Sequence, residues 1–187
     1  SALLSNWALN FRQENPDVPV LMHFIGASAY SADWALMLRR LMGEFKRKFN
    51  IQQEIPDKPD ELRSQFPNWL NMVSARSRMV LVLDALNQLE DRDGAPDLVW
   101  LPPVIPSKIR IITSTLPGRS FEEIKRRGWP TLPVEPLNEN ERSLFIGEYL
   151  RQYTKTLSPD LVQRIAFHKQ TANPLFLQSL LEELRLF

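Results

Sequence analysis

The feature that most constrains this chain is an apolar run that ends in a carboxylate: Val80-Leu81-Val82-Leu83 is followed directly by Asp84. A continuous run of β-branched and leucine side chains is typical of a strand that is buried on both faces of a parallel sheet. An acid at the carboxyl end of such a strand lies in the crevice where open α/β sheets bind ligands. Asp84 is therefore a candidate ligand-site carboxylate, and the alternative is an aspartate that only caps the turn after the strand.

Two further apolar segments extend this pattern to alternating strands and helices. The segments 18–25 and 109–114 are predicted strands, and helical spacing of apolar side chains predicts two helices between the first two strands. We expect Ser31 to cap the first of these helices. We expect Pro67 to kink or split the second, because proline lacks the amide that the helical ladder needs. The segment 98–101 is expected to anchor the long polar connection before the third strand.

After the third strand and a short helix, the pattern changes to helices alone. The segment 132–136 can form only a short strand, because each proline in it removes a donor from the ladder. From Asn138 onward three helices are predicted, and Asn138 resembles the start of a capping box. The sequence therefore predicts an α/β core over residues 1–136 and a helical lobe over residues 137–187.

Composition argues against several classes of function. With 187 residues, 43% of them hydrophobic and 24% charged, the chain has the make-up of one globular domain, or of one domain with a small appendage. A net charge of +1 gives no reason to expect nucleic acid or an anionic membrane as the main partner. No apolar stretch reaches the roughly 18 residues of a membrane span. The absence of cysteine suits the cytosol, so a cytoplasmic location is expected.

Five short stretches carry a family resemblance through their order and spacing. They are Ser1-Ala2-Leu3-Leu4, His23-Phe24-Ile25-Gly26-Ala27-Ser28, Leu83-Asp84-Ala85-Leu86-Asn87-Gln88-Leu89, Ile112-Thr113-Ser114-Thr115-Leu116-Pro117-Gly118 and Thr171-Ala172-Asn173-Pro174-Leu175. Together they resemble the NACHT-like ATPase domains of the STAND class of P-loop NTPases. The likeness is greatest to the nephrocystin-type branch found in tetratricopeptide-repeat proteins, and it spans nearly the whole chain.

The resemblance implies an α/β fold: a P-loop NTPase-type parallel sheet flanked by helices and followed by a small C-terminal helical lobe. It places the first strand of that sheet and the glycine-rich P-loop before Ser1, outside this chain. Ser1 would then be the last residue of the Walker A motif, whose hydroxyl ligates Mg²⁺ beside the nucleotide phosphates. The alternatives are a serine left over from cloning and a helix-capping serine, since an amphipathic helix follows it directly.

The resemblance also implies roles for other residues. Asp84 corresponds to the Walker B aspartate, which holds Mg²⁺. Thr113 and Ser114 occupy the sensor segment, where a hydroxyl can hydrogen-bond the γ-phosphate. Pro174 corresponds to a proline that contacts adenine, although a proline in the first turn of a helix explains it equally well. Arg119 lies close enough in sequence to reach the site, or else faces solvent.

Asn87 and Gln88 depart from the family pattern. Many NACHT domains carry two acidic residues at these positions, and one of them serves as general base or positions the attacking water. An amide cannot accept the proton of that water, although it can orient the water. Glu90 and Asp91 are the nearest carboxylates, but they lie further along the chain. Slow hydrolysis, or binding without turnover, is therefore expected, with Gln88 and Asn87 as the catalytic positions.

These observations favour a nucleotide-dependent signalling or regulatory switch that binds ATP or ADP with Mg²⁺. The alternative is a nucleotide-independent scaffold or oligomerisation domain that keeps the NTPase fold. The expected partners are the nucleotide, proteins reached through neighbouring domains, and further copies of the protein in a nucleotide-dependent oligomer. A membrane is not expected as a partner, and an RNA-binding role is a distant third.

Overall fold

In a computed structural model that describes residues 1–186, three strands form a parallel sheet in the order β1-β2-β3. They are Val20–Phe24 (β1), Met79–Asp84 (β2) and Ile109–Thr113 (β3). The middle strand β2 is buried along its whole length, as its apolar sequence predicts. The register sets Phe24 opposite Asp84 and Leu83 opposite Thr113, so the three strands end at the same edge of the sheet.

Helices cover both faces of this sheet. Because side chains alternate along a strand, Val80 and Val82 pack with Ala8 on one face, while Leu81 and Leu83 enter a larger cluster on the other. The helices of this part of the chain are Ala2–Glu14 (α1), Trp34–Phe49 (α2), Pro59–Arg76 (α3) and Arg119–Arg126 (α4). The first face is covered by α1, and the second by α2 and α3. The predicted α/β architecture with a flanked parallel sheet is confirmed.

Two details of these helices differ from the prediction. Asp33, not Ser31, caps α2: its carboxylate accepts hydrogen bonds from the amides of Ala35 and Leu36 at 2.8 and 3.0 Å. The hydroxyl of Ser31 instead bonds the backbone of Ser28, because the loop makes a tight turn before the helix begins. Of the kink or split expected at Pro67, the split does not occur, since α3 runs through that residue as one helix.

The long connection between β2 and β3 is anchored to the core. Leu98, Trp100 and Leu101 are almost completely buried, so the anchoring predicted from the sequence is confirmed. The indole nitrogen of Trp100 donates to the carbonyl of Ala95 at 3.1 Å. The guanidinium of Arg127 donates to the carbonyls of Leu98 and Leu101 at 2.8 and 2.9 Å. The connection has little regular structure, and an arginine at the end of α4 therefore holds it in place by hydrogen bonds to its backbone.

The chain divides into two compact units, Ser1–Pro130 and the part that begins at Thr131. The second unit holds α5 (Glu139–Arg151), α6 (Pro159–Phe167) and α7 (Pro174–Leu184). Ile146, Leu150, Leu177 and Leu181 are central in its own apolar core. The expected strand at 132–136 is wrong: that segment carries no regular structure, because its prolines cannot donate to a ladder. Over residues 1–186, no helix is long and apolar enough to cross a membrane.

Candidate functional site

The carboxylate of Asp84 lies at the edge where the three strands end. Only 2% of this residue is exposed, and both of its oxygens are bound by hydroxyl groups. The hydroxyl of Ser114 donates to Oδ1 at 2.5 Å, and the hydroxyl of Ser1 donates to Oδ2. These serines come from the end of β3 and the start of α1, 30 and 83 residues away along the chain. The structure thus brings three of the predicted site residues together.

The amide, the carbonyl and the hydroxyl of Ser114 all take part in hydrogen bonds. Its amide donates to the carbonyl of Leu83 at 3.1 Å, and its carbonyl accepts from the amide of Leu86 at 2.9 Å. Its hydroxyl accepts from the amide of Ala85 at 2.8 Å while donating to Asp84. The end of β3 is therefore fastened to the turn that follows β2.

That turn begins with a backbone conformation that is unusual for a side-chain-bearing residue. Ala85 has φ 62° and ψ 53°, in the left-handed region that only a few per cent of non-glycine residues adopt. Such residues persist where the surroundings over-determine them, and here the amide of Ala85 is bound by Ser114. A single turn of 3₁₀-helix, Leu86–Gln88, follows and presents Asn87 and Gln88 outside the sheet edge.

The two amide side chains contact different loops. Asn87 Oδ1 accepts a hydrogen bond from the amide of Leu116 at 3.1 Å, so this side chain fastens the loop that follows β3. The amide of Gln88 lies against Gly26, in the loop that follows β1. Both residues lie beside Asp84 in the chain and are exposed, as a water-orienting role requires.

The neighbouring charged residues that could have joined the site are engaged elsewhere. Arg119 donates to Asp91 at 2.7 and 2.8 Å and to Asp97 at 3.0 Å, rather than reaching the carboxylate of Asp84. These hydrogen bonds raise the pKa of Arg119 and lower the pKa of Asp97. Glu90 lies 3.6 Å from the guanidinium of Arg92. Thr113 ends β3 and is half-buried; within residues 1–186 its hydroxyl has no hydrogen-bond partner, and its contact with the γ-phosphate stays a prediction.

Pro174, the remaining predicted site residue, lies in the second unit. It is the first residue of α7, and the side chain of Asn173 caps that helix by accepting from the amides of Leu175 and Phe176 at 2.9 and 3.3 Å. A groove of about 720 Å³ lies nearby, and its lining includes Phe176, Thr171 and the exposed ring of Phe167. The helix-start role of Pro174 is evident, and its contact with adenine stays a prediction.

The donor set at Asp84 fits magnesium. Among residues 1–186, no group of three or more histidine, cysteine, aspartate or glutamate side chains could hold a metal ion. A cation at Asp84 would therefore have one carboxylate and the hydroxyl of Ser1 as protein ligands. Mg²⁺ commonly binds in this way, through one or two carboxylates with substrate phosphates and several retained waters, whereas zinc prefers three or four nitrogen or sulfur ligands.

The structure adds a contact between a buried histidine and an arginine that sequence reasoning missed. His23 is 6% exposed, and its Nε2 lies 2.8 Å from the carbonyl of Ser31 while Nδ1 lies 3.1 Å from Nε of Arg40. A carbonyl only accepts and a guanidinium only donates, so the imidazole is neutral with its proton on Nε2. Burial lowers the pKa of His23; the Ser31 carbonyl opposes this shift and the Arg40 charge adds to it. No local sequence signal links Arg40 to a histidine 17 residues earlier.

Comparisons with known proteins give relatives but no family model that matches. A TPR repeat-containing protein of Dictyostelium discoideum is 32% identical over all of this chain, which is 14% of that relative. NACHT and WD repeat domain-containing protein 2 of Mus musculus is 36% identical over 55% of this chain and 6% of its own length. Nephrocystin-3 of Homo sapiens is 28% identical over 79% of this chain and 11% of its own length.

The chain thus spans 14% or less of these curated relatives. Its homologues include a protein named for a NACHT domain and nephrocystin-3, which supports a NACHT-related family.

Proposed function

We propose that this chain is the ATP-binding core, with its helical lobe, of a signalling or regulatory switch of the NACHT/STAND type, with slow or absent hydrolysis. The proposal assigns the chain to the nephrocystin-type branch associated with tetratricopeptide repeats, and ATP or ADP with Mg²⁺ as its cofactors. It is supported by the parallel sheet, by the carboxylate at the end of its middle strand, and by the homologues.

The observation that carries the proposal is the hydrogen bond from the hydroxyl of Ser1 to Asp84. The two residues are 83 positions apart, and the family resemblance independently assigns them to the same Mg²⁺ site. In a P-loop NTPase the Walker A hydroxyl and the Walker B carboxylate bind the same Mg²⁺. The α-amino group of Ser1 also lies 3.7 Å from Oδ1, so the test below changes the hydroxyl alone and leaves that amino group in place.

The residues of this chain would act mainly by positioning. When bound, Mg²⁺ bridges and neutralises phosphate oxygens. Asp84 and Ser1 would hold the cation at the sheet edge, and the exposed amide of Gln88 would orient a water without accepting its proton. The side chain of Asn87 is bonded to the amide of Leu116, which favours a structural contribution over a direct one. Slow turnover follows from this set of groups.

A matched pair of serines tests the proposal. Ser1→Ala removes the hydroxyl that bonds Asp84, whereas Ser5→Ala removes a hydroxyl one turn further along α1. In the full-length protein, titration with a fluorescent ATP analogue in the presence of Mg²⁺ should show weaker binding for Ser1→Ala and unchanged binding for Ser5→Ala. Equal affinity in all three proteins, or no binding in the wild type, contradicts the proposal. The second outcome would favour the nucleotide-independent scaffold.

A further inference from the structure

We propose that Ser114 is a positioning residue that fixes the rotation of the Asp84 carboxylate, and that it does not contact the nucleotide. The inference rests on the proposed function, since it assigns a role within the same Mg²⁺ site. It differs from the role that the sequence suggests for Ser114, which is a hydrogen bond to the γ-phosphate.

The argument begins with the single proton of the Ser114 hydroxyl. A hydroxyl has one proton to donate and two lone pairs to accept with. The proton is donated to Asp84 Oδ1 at 2.5 Å, and one lone pair accepts from the amide of Ala85 at 2.8 Å. Phosphate oxygens also need a donor. Ser114 therefore has no proton left for a phosphate as long as it bonds Asp84.

The position of Ser114 leaves this arrangement no easy alternative. Its amide and carbonyl are both bonded, to the carbonyl of Leu83 and the amide of Leu86. A hydroxyl that turned away from Asp84 would leave Oδ1 of a nearly fully buried carboxylate without its donor. An unsatisfied buried polar group is costly, and more so when it is charged. The structure thus favours Ser114 as a permanent partner of Asp84.

As a consequence, each of the two carboxylate oxygens of Asp84 has a fixed partner. Because Ser114 binds Oδ1, the other oxygen, Oδ2, is directed to the hydroxyl of Ser1, where the cation would be held. Without Ser114 the carboxylate can rotate about its Cβ–Cγ bond and offer either oxygen. Hydrogen bonds to charged groups are roughly twice as strong as neutral ones, so this one restricts the rotation effectively.

The test separates a carboxylate-positioning role from a phosphate contact by measuring nucleotide binding with and without Mg²⁺. The variants Ser114→Ala, Ser114→Thr and Thr115→Ala are made in the full-length protein. Thr115 is the matched control, since its hydroxyl bonds the carbonyl of Leu116 at 3.0 Å instead of Asp84. Each protein is titrated with a fluorescent ATP analogue in Mg²⁺ and again in EDTA, and a thermal melt checks folding.

We expect Ser114→Ala to reduce the Mg²⁺-dependent gain in affinity by roughly tenfold, the scale of a hydrogen bond to a charged group. Its affinity in EDTA should remain within about twofold of the wild type, because the lost hydroxyl has no phosphate partner. Ser114→Thr should keep most of the gain because it retains the hydroxyl, and Thr115→Ala should keep all of it. In an Asp84→Ala background, Ser114→Ala should have no further effect.

Two results overturn the inference while leaving the proposed function intact. One is an equal loss of affinity in Mg²⁺ and in EDTA for Ser114→Ala, which indicates a phosphate contact. The other is a full effect of Ser114→Ala in the Asp84→Ala background. A wild-type protein whose affinity does not respond to Mg²⁺ overturns the proposed function itself, and the inference with it.

Discussion

The amide oxygen of Gln88 lies so close to Gly26 that a β-carbon added to that glycine would come within 1.7 Å of it. Gly26 has φ +80°, a conformation that L side chains rarely adopt, and it lies in the loop that follows β1, beside the sheet edge. The absence of a side chain at Gly26 thus makes the room in which the water-orienting amide would sit. This relationship joins the end of β1 to the turn after β2.

Gly26→Ala is expected to displace Gln88 and to slow ATP hydrolysis. Gly128→Ala is a matched control, since Gly128 also has positive φ but a β-carbon there would meet nothing within 4 Å. Both substitutions should cost about 1–2 kcal/mol of stability through backbone strain. Single-turnover assays should show slower hydrolysis only for Gly26→Ala. Further slowing by Gly26→Ala in a Gln88→Ala background would contradict this account, because the amide would no longer be there to displace.

Gln88→Glu is expected to increase the hydrolysis rate, because a carboxylate can accept the proton that an amide cannot. A well-placed general base contributes about 10²–10⁴-fold, so even partial alignment gives a measurable gain. Asn87→Asp should give less, since that side chain is bonded to the amide of Leu116. Single-turnover assays measure both rates. Wild-type turnover of order 10 s⁻¹, the median for enzymes, would contradict the slow switch.

The low pKa of His23 predicts a loss of stability in acid. Burial disfavours the charged imidazole in the folded chain, whereas the unfolded chain protonates near the ordinary value of 6.5. The unfolded state then binds more protons, so the free energy of unfolding falls as the pH drops below about 6.5 and levels off below the folded pKa. Urea unfolding at several pH values should show this fall, and a smaller one for His23→Gln. Comparison at about pH 8, where the imidazole is neutral in both states, isolates the packing cost of the substitution.

Adjacent arginines at the end of α4 should differ sharply in their effect on stability. Both pair with Glu123, but the Arg127 side chain is 11% exposed and also donates to the carbonyls of Leu98 and Leu101, whereas the Arg126 side chain is 75% exposed. Arg127→Ala should cost on the order of 3 kcal/mol, because it removes charge-assisted hydrogen bonds to the carbonyl of the buried Leu101 and to Glu123. Arg126→Ala should cost about 0–1 kcal/mol, as for exposed ion pairs. Urea unfolding measures both, and equal costs would contradict the anchoring role of Arg127.

The sequence predicted what depends on local pattern. The strand that ends at Asp84 was evident because its continuous apolar run suits burial on both faces. The helix-capping role of Asp33 was missed because Ser31 is an equally good capping residue, and only the turn of the loop decides between them. Pro67 was expected to kink or split its helix, and the helix runs through this residue without a split.

The contacts between distant residues could not be predicted from pattern. The fit of Gln88 against Gly26, the partners of Arg127 and the pairing of His23 with Arg40 each join separate elements. Such contacts follow from the way the elements pack, and nothing in the local sequence encodes them. The exception is the Ser1–Asp84 pair, because the family resemblance assigned both residues to one cation.

Mg²⁺-dependent ATP binding by the full-length protein and by its Asp84→Asn variant tests the central claim most directly. The substitution keeps the shape of the side chain and removes its charge, so the fold should persist while the cation would lose the carboxylate that the proposal assigns to it. The exposed carboxylate of Asp57 provides the matched control, Asp57→Asn. The account predicts that calorimetric titration shows Mg²⁺-dependent ATP binding by the wild type and by Asp57→Asn, and a loss of the Mg²⁺ dependence in Asp84→Asn. Unchanged Mg²⁺-dependent binding by a folded Asp84→Asn protein would contradict it.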